Sequence, residues 1–410
     1  MRTDLGAVAA FGHGWSTFPK LEGEIGPEMH FNGQPVLVWS LNNYLGLAND
    51  PEIRAIDAEA AARWGFAAPM GARMLTGQTK WHEEFERLAA EYAGKEDAYL
   101  LNYGYQGCMS TVQALTDRRD VIVYDQLCHA CIIDGMNLST AKRFMFAHND
   151  MEQLEDRLKK AERIVATTGG GILVITEGVF GMKGDLGRLD EIVKFKERYK
   201  FRLFVDDAHG FGVMGKTGQG VGEHYGVQDQ IDVIFYTFAK SMAMIGAYVA
   251  GPRHVIHYLR YYLRSQIYAK SLPLALTEGA IKRLELVRTG DARREKLWQI
   301  THALQAGLRA QGLEIGPTLS PVTPVYLTLR GDSVAEALHV MKDLRENHGI
   351  FVSGVTYPVV AKGELILRII PTSVHTLAQV ERTLEAFKTV SQNLKSGSYT
   401  DEIPTLVVAH

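Results

Sequence analysis

Between residues 51 and 250 the sequence alternates between segments of helical periodicity and short apolar runs, and this alternation restricts the fold more than any other feature. "PEIRAIDAEAAARWG" and "WHEEFERLAAEYAG" carry apolar side chains at helical spacing and stop at glycine, and "MEQLEDRLKKAE" reads as a surface helix. "VIVYD" (121–125), "ILVIT" (172–176), "RLFVDD" (202–207) and "DVIFY" (232–236) are short, apolar and rich in β-branched residues, which is how buried strands read, with the helix-like "LDEIVKFKERY" between the second and third. Strands apolar on both faces need cover on both faces. The pattern therefore predicts an α/β fold, a mostly parallel sheet with helices on either side.

Past residue 280 the pattern changes. Residues 291–311 read as helix, "TPVYLTL" (323–329) as strand, "SVAEALHVMKDLREN" as helix, "ELILRII" (364–370) as strand and "LAQVERTLEAFKTVSQNL" as helix, a smaller α+β domain. The N-terminal "EMHFNGQPVLVWS" predicts a hairpin around Asn32-Gly33 that joins it. The expected division is 1–46 with the small domain, 47–280 as the large domain and 281–410 as the small C-terminal domain. A chain of 410 residues accommodates this. Its net charge of −3 offers no general attraction for nucleic acid. Three cysteines, Cys108, Cys128 and Cys131, suit a reducing compartment. With no apolar stretch of about 18 residues and no signal-like N-terminus, the expectation is a cytoplasmic chain without a transmembrane segment.

Four stretches carry candidate chemistry. In "FVDDAHGFGVMGKTGQG" (204–220) a strand delivers two aspartates at its C-terminal end, where open α/β sheets hold ligands, although a helix cap or turn uses the same residues. In "YTFAKSMAMIGAYVAG" (236–251) Lys240 is boxed between Phe238 and Met242, which is not the setting of a solvated surface lysine. In "LNYGYQGCMS" (101–110) Gly104 opens a helix after a strand-like run, so the amides of Tyr105 and Gln106 could face an anion. "YDQLCHACIIDG" (124–135) holds Cys-X-X-Cys around His129, a pattern open to a metal clip or a dithiol. No second Cys-X-X-Cys supplies the other half of a zinc site.

The motifs "LNNYLGLA", "HACIIDG", "EGVFGM", "VDDAHG", "TFAKS", "SLPLA" and "RIIPTSVHT" resemble, in order and spacing, those of the α-oxoamine synthase family of fold-type I pyridoxal phosphate (PLP) enzymes, over nearly the whole chain. The resemblance implies that Lys240 is the Schiff-base lysine and the base for the Cα proton. Asp206 would partner the pyridinium nitrogen, His209 the 3-hydroxyl oxygen, and His129 would stack on the ring with the cysteines as bystanders and no metal. Gly104, Tyr105, Gln106 and the Thr237 hydroxyl would hold the phosphate. Arg368 would bind the amino-acid carboxylate, with Asn42 as a substrate contact and Gly71-Ala72-Arg73 at the entrance. These residue types suit such chemistry, because PLP accepts electrons while its ring nitrogen is protonated, which a carboxylate favours, and a forked guanidinium matches a planar carboxylate. A homodimer is implied, with "SLPLA" reaching the neighbour's phosphate.

Two departures stand out. Where the family carries a serine and an acid after "EGVF", this chain has Gly181 and Lys183, and where hydroxyl residues approach the neighbour's phosphate it has Ala269-Lys270. Lys270 either replaces them as a point charge or faces solvent. The implied reaction is a PLP-dependent decarboxylating condensation of a small amino acid with an acyl thioester on coenzyme A or an acyl carrier protein. Within the family the features lean towards serine palmitoyltransferase-like enzymes, which leaves room for a peripheral membrane contact. Glycine C-acetyltransferase, which "YPVVAKG" (357–363) also resembles, and 8-amino-7-oxononanoate synthase share the catalytic set, and an aminotransferase is the rival reaction class. Lys183 beside the amino-acid pocket suggests an anionic relative of serine, with cysteate and a sulfonolipid product as the leading case, unless Lys183 points to solvent and pairs with Asp185.

Overall fold

A computed structural model describes residues 12–329, 333–355 and 364–399, with 402, 404 and 406; "YPVVAKG" lies outside the described residues. The chain forms two compact units. The larger comprises Asp50–Phe180 and Leu186–Asp291, the smaller the chain up to Asn49, Gly181–Asp185 and the chain from Ala292.

The larger unit is built on seven strands, β1 (Asp97–Leu101), β2 (Val121–Asp125), β3 (Lys142–Phe146), β4 (Ile172–Glu177), β5 (Arg202–Asp206), β6 (Val233–Thr237) and β7 (Ala247–Gly251). Their order across the sheet is β1-β7-β6-β5-β4-β2-β3. The run from β6 to β3 is parallel, and only β7 lies antiparallel to its neighbours β1 and β6. This is the α/β fold expected from the alternation. Every residue of β4, β6 and β7 is buried, which explains why these strands are continuous apolar runs.

Local signals set the helix ends. Pro51–Trp64 begins at Asp50, whose carboxylate accepts from the amides of Glu52 and Ile53, and Lys80–Ala93 ends at Gly94 in the left-handed conformation. "LDEIVKFKERY" differs from expectation, forming a short helix Leu189–Ile192 and a 3-10 turn Val193–Glu197. The tighter winding aligns positions three apart and buries Ile192 together with Phe195. The sequence-based limit at 280 falls inside the unbroken helix Leu274–Arg288, which Arg283 ties to Asp57 at 2.7 and 2.6 Å.

In the smaller unit the hairpin Glu28–Phe31 and Gln34–Val38 closes through Asn32 and Gly33, both at positive φ (51° and 72°), the turn that strand twist favours. Ile350–Phe351 adds in parallel, and a second, antiparallel sheet joins Thr323–Thr328, Glu364–Ile369 and Ser353–Val355. Trp15, Phe31, Trp39, Leu304, Val325, Leu367 and Phe387 lie in its core. Among the described residues no helix is long and apolar enough to cross a membrane.

Candidate active site

The C-terminal ends of β4, β5 and β6 bring together most of the residues singled out in the sequence. Asp206 ends β5, and its Oδ1 accepts from the Ala208 amide at 3.1 Å. Burial pushes its carboxyl upward, and the charges of Lys240 and His129 work against that push. Glu177, at the end of β4, pairs in register with Asp206. Burial and the neighbouring Asp206 push Glu177 well above the usual carboxylate range. Its Oε1 accepts from the His129 amide at 2.6 Å.

His129 caps the helix Ala130–Leu138, here α2, with Nδ1 accepting from the Cys131 amide at 3.3 Å and lying 3.0 Å from the Cys131 sulfur. That contact with Cys131 raises the histidine's pKa. The ring is otherwise exposed, with Tyr105 edge-on at 6.2 Å. His209 follows in the turn after β5, half-buried.

Lys240 sits in a loop leaving β6 and held from behind. Phe238 and Met242 are fully buried, Ser241 donates to the Phe211 carbonyl at 2.6 Å, and the Phe238 amide donates to the Gly246 carbonyl at 2.9 Å. A side chain at Gly246 would meet the Phe238 ring at 2.3 Å, so the loop can fold back only with glycine there. Gly104 opens the helix Gly104–Ala114, here α1, which has no side-chain cap at its start; the first amide bonded to a backbone carbonyl is that of Gly107. A Cβ on Gly104 would lie 2.5 Å from the Thr237 hydroxyl oxygen. The amides of Gly104, Tyr105 and Gln106 and the Thr237 hydroxyl thus form one end of the cluster, a cradle for an anion.

Three residues of this unit are given no site role by the motifs. Glu177 is one. Asp207 is another: fully buried, it accepts from the Val221 amide at 2.6 Å, and burial pushes its carboxyl up to about 7. Side chains at Gly178, Gly210 or Gly220 would each come within 2.0 Å of that carboxylate, so the glycines of "TEG" and "AHG" are its signal. The third is Cys108, on α1, whose sulfur lies 3.9 Å from Asp206 Oδ2. Arg73 lies in the larger unit. It is buried in an ion pair with Glu86 at 2.7 Å over the Tyr99 ring. Lys270 is exposed, and its carbonyl accepts from Asn102 at 2.6 Å.

The remaining candidates belong to the smaller unit and meet one another there. Arg368 donates from Nε to the Gly181 carbonyl at 2.6 Å and from Nη2 to Asn42 Oδ1 at 3.2 Å, while Nη1 makes no hydrogen bond among the described residues. It is not an arginine facing solvent, and burial lowers its pKa. The loop 181–185 is pinned at Gly184, whose carbonyl accepts from Ser320 at 2.8 Å and Thr318 at 3.1 Å and whose φ is +72°. Lys183 projects from this loop half-buried, and among the described residues it makes no ion pair, Asp185 included.

The aminotransferase class I and II family matches residues 34–387. The cysteate-C-fatty acyltransferase of Capnocytophaga ochracea is 54% identical over 96% of this chain and 93% of its own length. The 8-amino-7-oxononanoate synthase of Thermoanaerobacter pseudethanolicus is 36% identical over 91% of this chain and 92% of its own. The chain is an α-oxoamine synthase. A serine palmitoyltransferase structure from S. paucimobilis with a bound PLP-myriocin aldimine superposes with a TM-score of 0.84 at 27% identity, covering 92% of this chain and 93% of the other. The fold is that of fold-type I PLP transferases, and the enzyme is a PLP-dependent C-acyltransferase. Its residues fit that cofactor: a buried carboxylate for the ring nitrogen, a lysine within electrostatic reach, and an uncapped helix start that only glycine keeps open.

Proposed function

We propose that this enzyme condenses L-cysteate with a fatty acyl thioester, with loss of carbon dioxide, giving a sulfonated 2-amino ketone of the sulfonolipid-base type. The observation that carries the reading is Lys183, a half-buried cation without an ion pair among the described residues, on the loop whose Gly181 carbonyl anchors Arg368. Two cations on neighbouring pieces of one unit suit an amino acid with two anionic groups, Arg368 taking the carboxylate through Nη1 and Lys183 the sulfonate. The 54% identity to a cysteate-C-fatty acyltransferase supports it. Serine, glycine and alanine would leave Lys183 with no charge to meet.

PLP, when bound, supplies the electron sink for the Cα carbanion. Lys240 Nζ would hold the cofactor, and the same amine, once freed, would take the Cα proton. Asp206 would hold the proton on the ring nitrogen, with the raised carboxyl of Glu177 beside it. His129 would cover one face of the ring and His209 would meet the 3-hydroxyl oxygen. The amides at the start of α1 and the Thr237 hydroxyl would hold the phosphate. We take the active unit to be a homodimer in the cytoplasm, with Lys270 offered to the partner's phosphate. Its exposure and that of Phe66, Met70 and Leu75 in the same unit support a surface covered by a second copy.

Purified enzyme given palmitoyl-coenzyme A and either L-cysteate or L-serine tests this through product mass, carbon dioxide and free thiol. Release of both with the sulfonated product is expected. Turnover of serine alone, or a keto acid without free thiol, overturns the reading.

A further inference from the structure

The Asp206 carboxylate has two thiols against it. Cys108 on α1 and Cys131 on α2 each place Sγ 3.9 Å from Asp206 Oδ2. These three ligand atoms all lie within 4.8 Å of one another, in three buried side chains. A fourth donor adjoins them, His129 Nδ1, 3.0 Å from the Cys131 sulfur. The two helices are held close: a side chain at Gly135 on α2 would come 2.6 Å from the Met109 carbonyl on α1, so both cysteines are presented from a tight pair. Cys128 is different. Its sulfur turns to the Ile175 carbonyl at 3.7 Å, so the Cys-X-X-Cys of the sequence supplies only one of its two thiols to the cluster.

The separations decide what such a cluster suits. The two sulfur–carboxylate distances of 3.9 Å and the 3.0 Å from His129 Nδ1 to the Cys131 sulfur, which also suit thiol hydrogen bonds, bracket the edges of a metal polyhedron: with zinc–sulfur bonds of about 2.3 Å and zinc–oxygen or zinc–nitrogen bonds of about 2.0–2.2 Å, a tetrahedral ion keeps sulfur and oxygen or nitrogen ligands roughly 3.5 Å apart. Two thiolates, an imidazole and a carboxylate are a donor set for zinc rather than for magnesium or calcium.

We propose that the full chain, when free of PLP, binds one zinc ion through Cys108, Cys131, Asp206 and His129, and that zinc and PLP exclude one another. The exclusion, but not the metal site, rests on the cofactor roles given above to Asp206 and His129. A metal ion on Asp206 would take the carboxylate from the ring nitrogen, and His129 Nδ1 would exchange its hydrogen bond from the Cys131 amide for the metal. Each thiol loses its proton to water as its sulfur binds the metal, and no oxidation or reduction is involved. Zinc would thus arrest chains that have not yet taken up the cofactor and leave loaded enzyme untouched.

The test uses the full-length protein before and after removal of PLP, equilibrated with zinc and washed, with metal counted by emission spectrometry and PLP followed separately by absorbance. About one zinc per PLP-free chain is expected and none in the loaded protein. Cys131→Ser and Cys108→Ala should lose the metal, and Cys128→Ser should keep it. Cobalt in place of zinc gives a thiolate charge-transfer band in the unmutated protein, which identifies the ligands even where a cysteine variant does not fold. No zinc on the PLP-free chain, zinc retained by Cys131→Ser, or zinc and PLP on the same chain overturns the proposal. Failure of PLP to bind with zinc absent counts against the cofactor reading alone.

Discussion

The two units hold their charged groups in opposite ways. In the larger unit, Asp206, Glu177, His129 and Lys240 are bound into one electrostatic system, each shifting another. In the smaller unit Arg368 is anchored by a carbonyl and an amide oxygen rather than by an acid, and Lys183 has no ion pair among the described residues. A system that completes its own charges suits a cofactor and a proton shared by a whole family. Cations left uncompensated suit an anionic substrate, and one residue can then change which substrate that is.

This contrast predicts effects that separate by unit. The largest is expected at Lys240: Lys240→Ala should lower turnover by roughly a thousandfold or more, and borohydride should no longer fix the yellow cofactor to the chain. Arg368→Leu should come next, raising KM for the amino acid by about 10- to 100-fold, as loss of a charge-assisted hydrogen bond does, with the cofactor's absorbance unchanged. Loss of the cofactor in that variant would break the separation. Gly104→Ala places a methyl group 2.5 Å from the Thr237 oxygen. It should weaken PLP binding by about tenfold, as modest overpacking does, without altering the choice between amino acids.

The smallest effect concerns stability, and here the two units should behave alike. His82 in the larger unit and His375 in the smaller are buried, and burial lowers each to about 4. His375 accepts from the Thr372 amide through Nδ1, meets the Val38 carbonyl through Nε2 and stacks on Trp39 at 3.8 Å, a setting for the neutral ring. Below the unfolded value of about 6.5 the unfolded chain takes up protons that the folded chain refuses. Stability is therefore complete above that pH and falls as pH drops towards 4. Thermal melts should lose roughly 2–4 °C per histidine at pH 5.5, and His375→Gln should remove one share of that loss.

Much of this was legible from residue order alone because the signals were local. The buried runs β4 to β6 are apolar at consecutive positions, and Asn32-Gly33 specifies its own turn. β3, "KRFMF", does not read as a strand, because as an edge strand it is mostly exposed and carries no continuous apolar run. Long-range contacts left no local trace. Cys108 and Asp206 meet only because α1 and β5 are neighbours in space, and the Arg73–Glu86 pair looks in sequence like two surface charges. Glu177 is hidden in a motif, "EGVFGM", that draws attention to Gly181 instead.

Selection of an anionic amino acid by Lys183 is the central claim. The direct measurement is kcat/KM for L-cysteate and L-serine with the same palmitoyl thioester, in the parent enzyme and in Lys183→Glu. The parent is predicted to prefer cysteate by about tenfold or more, and the substitution to lower this ratio at least about tenfold while serine turnover survives, since the charge at that site changes sign. A parent enzyme that prefers serine, or a ratio that Lys183→Glu leaves unmoved, contradicts it.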